Sequence, residues 1–586
     1  MSRHCASSLL HRLLLRVLVP VCTWAACVGC AVFDPPEPKY APSAPTAVFP
    51  TREKIAQLPA LPPSVQVFGT KDVAVDEWSV ESPPLPSEGP YDDPSAWGLL
   101  LRDLTRTRTE SVSLSPAMRC AAAEIGRFHL KNHALPVENL RRFILARCGG
   151  ETTNLSPFVW SVNAPGTIGD AQIIARARDS FANAIEEHLS HGHHLVGLAS
   201  VRDAQHVSVV LAIGEDEARL EAGTRRVDST RHITLRGTAR GEYALISALV
   251  NRGDFAVSHC ENDRAAHPPE FALSCELAAG DAFDWVEVVG VKRGGVMSHP
   301  LADVLIYEGD AGAGSMAYRV KSHGAPAPVT TLPEFTKLLV DRVNAIRALG
   351  GMPALALAGK QSLENERLAG TIFNASMHGN DDTADTAALG LLAGWDVDEG
   401  MIRGGELFLS AVAPTHDAMA WVESAIERPI GRSALLDPEA RLIAVGPSIP
   451  EGVLGLGAAV TTYSLFGAEG HAADEDLFFQ RITQARLARG LPPPTRVPVS
   501  NEMQRIAARI LTESMTPLGA LHQMAAASSS RSPGYVLETN NLRAVAVPDV
   551  FLKAGPLAIT LTVTHHRAPG AAWGQYVVLT LLRTGG

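Results

Sequence analysis

The chain of 586 residues has room for roughly three to five domains, and its 51 basic and 62 acidic side chains leave a formal charge of −11. No basic run follows the first twenty residues, which excludes a nucleic-acid-binding stripe. Hydrophobic residues at 46% are ordinary for globular domains, and beyond the N-terminus no apolar run is long enough to span a bilayer.

The first thirty residues, MSRHCASSLLHRLLLRVLVPVCTWAACVGC, have a basic start, an apolar core and small residues at the end. This is the pattern of a secretory signal. Its ending, Cys27-Val28-Gly29-Cys30, resembles a bacterial lipobox, although Cys27 stands where Leu is usual and Arg12 and Arg16 interrupt the apolar run. The resemblance implies removal of residues 1–29 and a lipid on Cys30, with simple secretion as the alternative. Ala31, not Asp, follows the cysteine. By resemblance to lipoprotein sorting in Gram-negative cells, this implies the outer membrane, on either its periplasmic or its outer face.

Beyond the signal four cysteines remain: Cys120, Cys148, Cys260 and Cys275. An even number outside the cytosol implies disulfides. The sequence-local pairing is Cys120–Cys148 and Cys260–Cys275. Metal ligation is the rival, without CxxC spacing to support it, and four free buried thiols are the plain alternative.

Residues 30–95 open with a Pro/Ala-rich stretch of little periodicity, and the whole segment reads as a tether. From 96 to 215 helices come first, at 114–133 and 177–192, and a hairpin at 194–213 comes last. Residues 216–310 are short strand-like pieces between turn residues, the pattern of a small β-sandwich. Residues 311–332 read as a linker. Helices lead again at 333–350, 362–377 and 416–427, and an apolar run at 452–466 closes that segment. Residues 474–586 repeat the order.

One phrase is written twice. RVNAIRALGGMP (342–353) and RITQARLARGLP (481–492) share Arg347/Arg486, Gly351/Gly490 and Pro353/Pro492, and further matches follow at Ser362/Ser500 and Glu364/Glu502. The period is too long for a solenoid and points to duplicated domains.

The phrase Asn-x-x-Arg, Gly-x-Pro, Ser-x-Glu…Arg-x-Ala resembles the CAP family of cysteine-rich secretory, antigen 5 and pathogenesis-related proteins. AGW (393–395), GGEL (404–407), MAWVESAIERPIGRSALLDP (419–438) and IAVG (443–446) extend the resemblance. It implies an α+β multidomain protein with α–β–α sandwich CAP-like domains. One is clear (333–466) and one or two are divergent (96–215 and 474–586), beside the β-sandwich.

Many members of that family carry a cleft of two His and two Glu, which can hold a divalent metal or shuttle protons. His378 and Glu406 match two of these positions. The His of the family's SPGHR motif falls on Gly431, and the stretch from Glu439 to Ile443 ends apolar. With half the set missing no cofactor is expected, a divalent metal being the alternative. Glu187, His188 and His191 have spacing for a metal, but at a helix end His also complements the dipole, and the tract reads as adventitious or non-binding. His565-His566 reads as an exposed turn pair, and Ser115, Ser362 and Ser500 read as helix caps. Two functions follow. One is a non-catalytic envelope lipoprotein that binds a lipid, glycan or protein. The other is a metal-assisted hydrolase using His378 and Glu406.

Overall fold

A computed structural model describes the chain from Lys39 to Thr584, except residues 42–47, 62–71, 81–90, 109–110, 165–167, 190–191, 222–225, 228–230, 264, 279–282, 294–296, 309–315, 320–324, 326, 412–416, 450–455, 468–470 and 528–532. The signal, the lipobox and Cys30 lie outside the described residues. Among the described residues, no helix is long and apolar enough to cross a membrane.

The first ordered pieces are β1 (Lys39–Ala41), α1 (Arg52–Ala56), β2 (Asp72–Val73) and β3 (Glu77–Val80). The first module follows: α2 (Ala96–Thr105), β4 (Val112–Leu114), α3 (Pro116–Asn132), β5 (Leu135–Pro136), α4 (Glu138–Arg147), β6 (Ser156–Asn163), α5 (Asp170–His188), β7 (His194–Arg202) and β8 (His206–Glu215). Its sheet runs β4-β7-β8-β6. Strand alternation divides the core. Val210 and Ala212 face α3 and α4, whereas Val209 and Leu211 face α2 and α5. The module is therefore an α–β–α sandwich. Pro116 opens α3, and the Ser115 side chain accepts from Met118 N at 3.2 Å, a helix cap.

Among the described residues nine strands come next: β9 (Ala218–Leu220), β10 (Arg226–Val227), β11 (His232–Ala239), β12 (Tyr243–Arg252), β13 (Ala256–His259), β14 (Glu261–Asn262), β15 (Glu270–Glu276), β16 (Phe283–Lys292) and β17 (Ser298–Glu308). They form two sheets, β10-β17-β16-β12-β13 and β14-β15-β11-β9, facing each other across a core that includes Leu235, Leu273, Val286 and Val304. The disulfides are Cys120–Cys148 and Cys260–Cys275. The second lies in the sandwich core. The first ties α3 to the end of α4.

After β18 (Met316–Arg319), the central module holds α6 (Leu332–Leu349), β19 (Ala356–Leu357), α7 (Gly359–Met377), α8 (Asp381–Ala393), β20 (Ile402–Ala411), α9 (Ala418–Glu427), α10 (Pro429–Leu436), β21 (Leu442–Ser448) and β22 (Gly457–Leu465). Its sheet is β19-β21-β22-β20. Helices α6, α9 and α10 cover one face around Trp421, and α7 and α8 cover the other. The C-terminal module holds α11 (Ala472–Ala488), β23 (Thr495–Val497), α12 (Asn501–Leu511), α13 (Pro517–Ala527), β24 (Gly534–Thr539), β25 (Leu557–His566) and β26 (Gln575–Thr584). Its sheet is again covered on both faces, by α11 on one and by α12 and α13 on the other.

The repeated phrase has a structural cause. Arg347 and Arg486 are fully buried. Arg347 donates to the carbonyls of Pro353, Leu435, Asp437 and Ala440. Arg486 donates to those of Pro492, Phe551, Lys553 and Gly555. In both helices the glycine after the last turn is left-handed (Gly351 φ 68°, Gly490 φ 69°). In both, the next amide returns to the arginine's own carbonyl, Met352 N at 2.9 Å and Leu491 N at 3.0 Å. This Schellman-type ending swings the Gly-x-Pro segment back within reach of the guanidinium.

The tether expectation needs correction. β1 adds a parallel fifth strand to the C-terminal sheet, pairing Lys39 with Tyr535. α1 lies on α8, with Ile55 in the central module's core. β2 pairs with β5 of the first module, and β3 pairs antiparallel with β18. The N-terminal strap thus grips the modules in the reverse of their chain order. Each grip is a strand edge or a short stretch with one or two packed side chains, such as Val80 and Trp78 or Ile55 and Leu58, too short to leave a periodic trace in the sequence. The linker expectation for 311–332 is corrected likewise: Tyr318 is buried against α4, and Ala327 and Val329 belong to the central core.

Candidate functional site

His378 ends α7 and is exposed; its Nδ1 lies 2.7 Å from the carbonyl of Asn374, one turn back. Glu406 sits in β20 directly opposite Thr462. Thr462 donates to the carbonyl of Ala434 in α10, whereas its neighbour Thr461 accepts from Asn365 of α7. Cross-strand partners share a face, so Glu406 points to the α10 side. Burial raises its carboxyl pKa, against a hydrogen bond from Ser433 and with a further push from Asp437. His378 belongs to the layer on the opposite side of the sheet. The two candidates read from the sequence do not converge, because successive residues of a strand face opposite ways.

The segment matched to the family's third cleft residue has a different task. At Gly431 an added Cβ would stand 2.1 Å from the carbonyl oxygen of Ala425, so no side chain fits there. Around it the α9–α10 corner docks on the β-sandwich. Arg428 donates to Oε1 of Glu287 at 2.6 Å, and Ile430 N donates to Oε2 at 2.9 Å. Asn251 donates to the carbonyl of Glu427 at 2.8 Å, and Tyr318 OH to its carboxylate at 2.9 Å. Helix α4 completes the joint. Residues 139–147 are all buried. Arg142 pairs with Asp303 at 2.9 Å and lies over the Trp285 ring at 4.6 Å. Glu287 is wholly buried, and a charge so placed needs its partner. First module, sandwich and central module are locked by this polar joint.

The C-terminal module carries a cluster that the sequence reading missed. His565-His566 is no exposed turn: both residues close β25, and His565 is buried. His471 Nδ1 lies 2.8 Å from Asp474 Oδ2, and its Nε2 lies 2.6 Å from His565 Nδ1. Phe466, at the end of the central module, stacks on His565 at 4.3 Å. Burial, helped by the His471 ring, pushes the His565 pKa down to about 4. On the far side His566 lies 3.5 Å from Glu538, which accepts from Tyr40 of the strap at 2.9 Å. His471 and His565 are 94 residues apart, and no local pattern links them. The sole visible sign was the His-His pair itself.

The remaining sequence candidates do not assemble into sites. His188 packs on Phe158, with Nδ1 3.2 Å from the carbonyl of Ala184, and His191 lies outside the described residues. Among the described residues no group of three or more His, Cys, Asp or Glu could hold a metal ion. Ser500 caps α12. Ser362 does not cap: it lies inside α7, buried, and accepts from Val445 N at 3.1 Å.

No family model matches the chain, and no curated protein matches it. Solved structures with partial similarity include two proteins. One is a cysteine-rich secretory protein from Staphylococcus aureus, 12% identical, with 40% of this chain and 77% of that one covered and a TM-score of 0.18. The other is an extracellular protein containing an SCP domain from Bacillus anthracis, 13% identical, with 40% and 78% covered and a TM-score of 0.18.

Proposed function

We propose that the protein is an exported scaffold, anchored by lipid at Cys30 to the outer membrane of a Gram-negative envelope. Its degenerate CAP-like modules bind another envelope component, a lipid, glycan or protein, without catalysis. The observation that carries this reading is the use made of the α9–α10 corner. The segment that resembles a cleft motif is packed against Glu287 and Asn251 of the β-sandwich. Glu406 and His378 lie on opposite sides of the central sheet, which counts against the metal-assisted hydrolase, since two ligands in separate layers cannot share one ion.

The test has two parts. Mass spectrometry of the protein from membranes should find an acylated Cys30 peptide, and Cys30→Ser should shift the protein to the soluble fraction. Elemental analysis of the chain from residue 31 should find no stoichiometric divalent metal. A bound ion lost in a His378→Ala, Glu406→Ala double variant would restore the hydrolase reading.

A further inference from the structure

The strap crosses the α7/α8 face of the central module in a way that reads peptide backbone. Trp395 Nε1 donates to the carbonyl of Pro50 at 3.0 Å. Arg367 donates to those of Ile55 at 3.0 Å and Leu58 at 3.2 Å, and Thr371 to that of Pro59 at 2.5 Å. Four carbonyls are thus held by three side chains of one surface. Between 51 and 60 one strap side chain is fully buried, Ile55 at 3% exposure, and Leu58 is half-buried against the same core. The Ile55 socket exists because residue 390 is glycine: an added Cβ there would stand 2.2 Å from Ile55 Cδ1, and the three nearest atoms all belong to Ile55. Three residues before it, Arg52 pairs with Asp396 in the open.

The fit is incomplete. A cavity of about 280 Å³ remains between strap and module, lined by Ala56 on one side and by Gln361, Glu364 and Trp395 on the other. Ile55, the half-buried Leu58 beside the same core, and Phe49 on the Trp573 ring are the strap's apolar contacts here, and its other side chains between 51 and 60 are exposed. A short segment held by so few contacts opens locally more often than the module unfolds. The surface beneath it keeps the two elements of peptide recognition, donors for main-chain carbonyls and a pocket for one side chain.

We propose that the α7/α8 face is a peptide-docking groove, filled in cis by strap residues 50–61 and open to a segment of a partner protein with the same chemistry. That segment is a short helix with a cation, then Ile or Val three residues later, then an extended Leu-Pro. The site goes beyond the scaffold reading by naming a surface and its ligand, and it stands whether or not Cys30 is acylated.

The test uses the full chain from residue 31 and a fluorescent peptide of residues 48–61, followed by anisotropy. Ile55→Asp removes the cis anchor but leaves the groove, and should bind the peptide at least tenfold more tightly than wild type. Gly390→Val displaces the strap and also fills the socket, since the atoms nearest an added Cβ are those of Ile55, so it should not bind. A peptide carrying Ile55→Asp should not bind either variant. Arg52→Glu, an exposed change, should open the groove in smaller measure if Ile55→Asp fails to fold. Equal peptide binding by wild type, the strap variants and Gly390→Val would overturn the proposal.

Discussion

An ionised carboxylate only accepts, so Asp474 places the proton of His471 on Nδ1. His471 Nε2 then accepts, and His565 must donate from its own Nδ1. The chain is complete with both rings neutral. A second proton on His565 would make a buried imidazolium ring against His471, and burial opposes that charge first. The groups facing the pair are Asp474, His566, Phe466 and Tyr576, with Arg403 bonded to the Tyr576 hydroxyl and Glu439 bonded to Arg403. His565 is held down at about 4 in the fold and titrates near 6.5 when unfolded. Between those values the unfolded chain binds the extra proton. The stabilisation is therefore full above about pH 6.5 and lost as pH falls to about 4. The melting temperature should drop across that window, and His565→Asn should flatten the drop. An unchanged slope in the variant would remove the relay from the account. Sequence reading failed here because a buried pair made from distant positions leaves no spacing to recognise. It failed for Glu406 and His378 for another reason: a motif names residue types but not the face of the strand they occupy.

At the scale of elements, the duplicated phrase was legible because three rare requirements stand in one short stretch: an arginine, a left-handed glycine and a proline carbonyl. Arg347→Met would take the guanidinium from four carbonyls, of which Asp437 and Ala440 keep another donor, Ala440 N and the Arg441 side chain. The expected cost is about 3–5 kcal/mol, read as a lower denaturation midpoint, and Arg486→Met should match it in the C-terminal module. A cost near zero in either would mean the phrase is kept for another reason. The α9–α10 corner makes a second prediction. Arg428→Met strands Glu287 and should cost about as much, whereas Arg319→Met, at an exposed pair with Glu77, should cost under about 1 kcal/mol. Helices and hairpins with regular apolar spacing were readable from sequence. Helix α4 was not, because arginines at 141, 142 and 147 argue for solvent until partners such as Asp72, Asp303 and Tyr307 are seen around them. Among the covalent ties, the Cys260–Cys275 bridge closes a separation of 15 residues. Removing it with a double Ser variant should cost about 3 kcal/mol by loop-closure entropy, measured by urea unfolding.

For the whole molecule, the strap and the polar joint make one assembly of modules that would otherwise be strung in line. Deleting residues 31–61 should leave strand β24 as an open edge, raise hydrogen exchange across residues 534–539, and split a shared melting transition into separate ones. Unchanged exchange there would show that β1 adds no protection. Pairing between the strap and the C-terminal sheet also sets an order in time. Tyr40 meets Glu538, 498 residues further along the chain. At 5–20 residues per second the strap leaves the ribosome roughly 25–100 s before its partner strand exists. The grips of β2, β3 and α1 have their partners earlier in the chain, in β5, β18 and α8, whereas this one waits for β24. A product cut short before residue 534 would therefore carry its first strand unclasped.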